Sequence, residues 1–117
     1  MQDLLEVIER ESVVDDELHK LLDKIKLNDS KSEDREEMRV HYKQSDGSTT
    51  AGNWAATNPA NATLLAYAGE RLLTEHDAFT IQIDNIIVTL NTEHLASIAI
   101  EVGKTEEPEL DFSLFAR

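Results

Sequence analysis

The chain contains no cysteine, so neither a disulfide framework nor a thiolate metal site is available to it. Long hydrophobic runs are missing as well, and no window approaches the length of a membrane span. The first residues carry acids where a secretory signal needs basic residues and an unbroken apolar run, which points to a cytoplasmic protein. In that setting the N-x-S/T sequons at Asn28 and Asn61 have no role. Basic residues are scarce: 11 Lys and Arg stand against 24 Asp and Glu, a formal net charge of −13. Such a field repels free nucleic acid and anionic membrane surfaces and attracts basic partners. The acids are uneven, since residues 1–37 hold 13 of them with six bases and carry −7 on their own.

Recognisable catalytic and cofactor motifs are absent too. No phosphate-binding loop, nucleotide fingerprint, paired-histidine zinc motif or EF-hand spacing occurs. Asp15, His19 and Asp23 stand one helical turn apart, but on the polar side of an acidic amphipathic segment where such residues are ordinary, so no metal or cofactor is assigned. Ser97 falls in mid-strand with no nucleophile elbow or oxyanion glycine beside it. Glu75-His76-Asp77 lies at a helix end, where a protonated His76 would stabilise the terminus. No catalytic residue is assigned, and the chain reads as a protein other than an enzyme.

What is present is a scaffold of one domain, large enough to bury a core. Its organising stretch is Ala78 to Val102. Phe79, Ile81 and Ile83 alternate with polar residues, and after Asp84-Asn85 the alternation resumes at Ile86, Val88 and Leu90. That predicts a two-residue type I′ hairpin pairing Ile83 with Ile86, Ile81 with Val88 and Phe79 with Leu90, all six on one face. Asn91 to His94 then turns the chain into Leu95–Val102, completing a three-strand meander. Upstream, Asn58-Pro59 opens a helix over 60–75 whose face of Leu65, Ala68 and Leu72 covers the meander, with Gly69 permitting close approach.

Before that, Met38, Val40 and Tyr42 mark a strand, and Asp46-Gly47 returns it through Ser48 to Trp54. Trp54, the single tryptophan, reads as a core or hairpin-cover residue. Residues 28–37 are a polar loop. Residues 1–27 are an acidic amphipathic helical segment with Leu4, Val7, Val14, Leu18, Leu21 and Ile25 on a heptad frame. It is either one helix or two, with Ser12 capping the second; Glu11 in the seam favours the break. The fold class is α+β: N-terminal acidic helices, then an antiparallel sheet of four to five strands within the 38–102 core.

Residues 103–117 form an acidic tail with an apolar end, LDFSLFAR, in which Leu110, Phe112, Leu114 and Phe115 read as partner-binding anchors. Asp111-Phe112-Ser113-Leu114-Phe115 resembles the pentapeptide by which bacterial replication proteins dock on the sliding clamp. Ser113, Leu114 and Phe115 fit that pattern, while Asp111 and Phe112 stand where it has glutamine and leucine.

Two functional expectations follow. One is a small acidic regulator or inhibitor of phage or mobile-element type, binding a basic surface on a nucleic-acid-handling protein without itself binding nucleic acid or membrane. The other is a homo-oligomeric structural or assembly component, dimerising through the stripe from Leu4 to Ile25.

Overall fold

In the computed structural model, which describes residues 1–103, helices and antiparallel strands combine as the α+β reading requires. The N-terminal segment is two helices, α1 (Gln2–Glu11) and α2 (Asp16–Lys31). The long strand β1 (Glu36–Gln44) follows, then two short pieces, β2 (Thr49–Ala51) and β3 (Ala55–Thr57). A single 3₁₀ turn, Pro59–Asn61, leads into α3 (Ala62–Glu75). Strands β4 (Ala78–Ile83) and β5 (Ile86–Asn91) come next, and after a turn at Thr92–His94 the chain ends its described part in β6 (Leu95–Val102).

The four-stranded sheet is built around β1. On one edge of β1 lie β2 and β3; on the other lies β6, with Val40 opposite Ile100 and Tyr42 opposite Ile98. Asp46-Gly47 makes the expected turn: Gly47 has φ 95°, and the Asp46 carboxylate accepts from the Ser48 N–H at 2.9 Å. The return strand breaks at Gly52, because Asp3 sits against it. A Cβ built there would lie 2.8 Å from Asp3 Oδ1, and Asp3 also accepts from the buried Tyr42 hydroxyl. Burial, with the charge of Asp3 and its hydrogen bond, pushes the Tyr42 phenol well above its ordinary range.

The β4–β5 hairpin has the register read from its alternation, Ile83 to Ile86 through Phe79 to Leu90. Phe79, Ile81 and Leu90 are buried, whereas Ile86 at the tip is 63% exposed. Its turn type differs from expectation: Asp84 takes positive φ (54°) and Asn85 does not, whereas type I′ needs both. Asn53 donates to the Asp84 carboxylate at 2.9 Å and holds the loop in that form.

The three-strand meander is corrected. β6 leaves β5 and pairs with β1, and among the described residues β4 and β5 form a separate two-stranded sheet. The long free edge of β1 offers seven matched positions, and pairing there puts Ile98 beneath α3. Helix α3 therefore covers β6, with Gly69 so close that a Cβ would fall 2.9 Å from Ile98 Cγ2, while α1 packs on β4. Leu65, Ala68 and Leu72 are fully buried, as the face assigned to that helix requires.

The loop expected at 28–37 is also shortened, since α2 runs on to Lys31. Asn61, fully buried, accepts from Asn28 Nδ2 at 2.8 Å and donates to Asp29 Oδ1 at 3.1 Å, while Asn58 donates to the Asn28 carbonyl at 3.0 Å. These bonds satisfy the polar last turn of α2 and explain why it stays helical. Among the described residues no helix is long and apolar enough to cross a membrane.

Candidate interaction surface at the turn between the first two helices

The turn Ser12–Asp15 is fixed at both ends. At the close of α1, Ser12 donates from its N–H to the Ile8 carbonyl (2.9 Å) and from Oγ to the Glu9 carbonyl (2.8 Å). Ser12 thus ends α1 instead of capping α2, a correction to the sequence reading. Asp15 takes the cap: in extended conformation, φ −132° and ψ 103°, it accepts from the N–H groups of Glu17 and Leu18. The three residues Ser12–Val14 are needed to reverse the chain, so the cap falls where the reversal is complete.

Asp15 is only 6% exposed, and it is met by two side chains from the end of α3. Arg71 donates from Nε to both carboxylate oxygens (3.2 and 3.1 Å), and His76 Nε2 lies 2.7 Å from Oδ2. Burial works against ionisation here, but the hydrogen bonds from Arg71, His76 and the Leu18 N–H outweigh it and hold the carboxyl at about 2. The other ring nitrogen, His76 Nδ1, lies 3.4 Å from Glu11 Oε1. Both imidazole nitrogens therefore face carboxylates. The group acts as a clamp that joins the end of α1, the start of α2 and the end of α3.

With its ends clamped, the turn presents Val13 and Val14 to solvent, 83% and 79% exposed. A recess of about 530 Å³ on one side is lined by Glu9, Val13, Asp16, His19, Asp23 and Lys26 among others. A second of about 540 Å³, sharing Asp16 with the first, is lined by Val14, Glu17, Arg71, Glu75 and His76 with Asp15. Five exposed carboxylates, Glu9, Asp16, Glu17, Asp23 and Glu75, thus surround an apolar tip against three basic groups, Lys26, Arg71 and Lys20, the last paired with Glu17 at 3.4 Å. Arg71 is already committed to Asp15.

Of the heptad stripe, Leu4, Val7, Leu18 and Ile25 are buried in the chain's own core at 0 to 2% exposure, because the turn folds the two helices around it. Leu21 is half-buried beside that core, and Val14 alone of the six is fully at the surface, in the turn. Leu110, Phe112, Leu114 and Phe115, with the segment Asp111–Phe115 that resembles a sliding-clamp-docking pentapeptide, lie outside the described residues. Asp15, His19 and Asp23 do not share a site: Asp15 turns to α3, while His19 pairs with Asp23 at 3.4 Å. Among the described residues no group of three or more His, Asp or Glu is placed to hold a metal ion. Trp54 is not a core residue: it is 39% exposed and lies between Arg39, stacked 4.6 Å from its ring centroid, and Gly103.

Sequence reasoning passed over Val13, and it took Glu11 for a flaw in the heptad where the structure makes it a partner of His76. The signal available was the pair of adjacent valines before an Asp-Asp-Glu run, where a helix break exposes both. No protein-family model, curated protein or solved structure matches the chain.

Proposed function

We propose that this protein is a small acidic regulator or inhibitor that docks on a basic surface of a nucleic-acid-handling protein through the α1–α2 turn. The observation that carries the reading is the exposed Val13–Val14 pair inside its ring of carboxylates. An exposed apolar pair gains from losing its water when a partner covers it, and a surrounding rim of charge steers that partner. The clamp on Asp15 supplies preorganisation, which lowers the entropic cost of docking. A net charge of −13 adds long-range attraction to any basic partner.

The test is capture from a cell lysate on immobilised wild-type protein and on the V13K/V14K double variant. The expected outcome is that wild type retains basic nucleic-acid-binding proteins, which rising salt releases, and that the double variant loses them at unchanged melting temperature. Equal capture by both proteins, or retention indifferent to salt, would reject the reading.

A further inference from the structure

The two outer edges of the β4–β5 hairpin are treated differently. Arg10 of α1 donates from Nη2 to the Thr80 carbonyl at 2.6 Å, so that backbone group of β4 points outward and is met by a charged side chain. Residues opposite one another in an antiparallel ladder alternate between bonded and non-bonded pairs. Thr80 stands opposite Thr89, and Gln82 opposite Ile87. The N–H and C=O groups of Ile87 and Thr89 therefore point away from β4, along the far edge of β5. Among the described residues no strand pairs there and no backbone hydrogen bond reaches them.

Strand edges that stay single in solution carry charge, proline, a bulge or a covering element. Ile86–Asn91 has no charged residue and no proline, and its register is unbroken. Ile87 beside this edge is 70% exposed.

We propose that β5 pairs antiparallel with β5 of a second copy of this chain, joining the two hairpins into one four-stranded sheet. The outward groups fix the register. A two-fold axis at Thr89 sets Ile87 opposite Asn91 of the second copy in bonded positions, and on the hairpin's apolar face it sets Val88 beside Leu90 of the second copy. The strand is self-complementary in this register, as an isologous contact requires. It is also an uncharged stretch on a chain of net charge −13, so contact along it sets no like charges of the two strands against one another.

Sedimentation of the full chain from micromolar to submillimolar concentration, at low and at high salt, tests the pairing. The wild type forms dimers that strengthen with salt, because screening relieves repulsion between like-charged chains. Ile87→Lys, which places charge at an exposed edge position, and Thr89→Pro, which removes an N–H that β4 does not use, each return the protein to monomer with its circular dichroism unchanged. Amide exchange at Ile87 and Thr89 slows as wild-type concentration rises. A wild type that stays monomeric at both salts, or a dimer that both variants leave intact, overturns the proposal. So does protection of those amides only when another protein is added, which assigns the edge to that protein's strand.

Discussion

Asp15→Asn isolates the charge of the clamp, because asparagine keeps the cap and nearly the same shape. The carboxyl ionises at about 2 in the folded protein against an ordinary 3.8. A difference of this size corresponds to about 2 kcal/mol of stability at neutral pH, from about 1.4 kcal/mol per pH unit. The folded value is the lower one, so the unfolded chain takes up the proton more readily. The contribution is complete above the ordinary value and is lost as pH falls through the interval from 3.8 to about 2. Urea unfolding at pH 7 should show Asp15→Asn destabilised by about 2 kcal/mol, or roughly 6–10 °C in melting temperature for a domain of this size. The gap between variant and wild type should close below the folded value. Asp15→Ala should cost about 1 kcal/mol more, the worth of the cap. A variant as stable as wild type at pH 7, or a gap that persists in acid, would refute the clamp.

Leu72→Asp places a charge in the fully buried contact of α3 with the sheet and should unfold the domain, by about 4 kcal/mol or more, read as loss of the cooperative thermal transition. Gly69→Ala should destabilise despite its better helix propensity, since the new Cβ falls 2.9 Å from Ile98 Cγ2; a melting temperature above wild type would show that the contact yields. Asn61→Ala strands Asn28 and Asp29 at the α2–α3 junction and should cost about 1–3 kcal/mol in urea unfolding, with amide exchange quickening first in the last turn of α2.

Local chemistry was legible in the sequence, and partners far along the chain were not. The hairpin register from Phe79 to Leu90 follows from alternation and a two-residue loop alone, and Asp46-Gly47 announces its own turn. The buried face of α3 follows from helical spacing. By contrast, nothing near Leu95–Val102 says whether it joins β5 or the distant edge of β1, because its alternation suits either neighbour. The last turn of α2 reads as polar loop because the asparagines that stabilise it, at 58 and 61, bond to it from 30 to 33 residues away. The candidate surface failed to show for the same reason. Asp15 reads as a helix-start acid and becomes a clamp only when Arg71 and His76, 56 and 61 residues away, are brought to it. The heptad stripe was real as a pattern, but the turn at Ser12–Asp15 leaves Val14 exposed and sends the other five residues into or against the chain's own core.

The most direct test of the docking surface is a backbone amide shift map of isotope-labelled protein titrated with a basic partner recovered by capture. The largest changes should fall on residues 12–17 and Asp23, vanish at high salt, and be abolished by V13K/V14K. Changes centred on β1 or β5, with the turn unaffected, would contradict it.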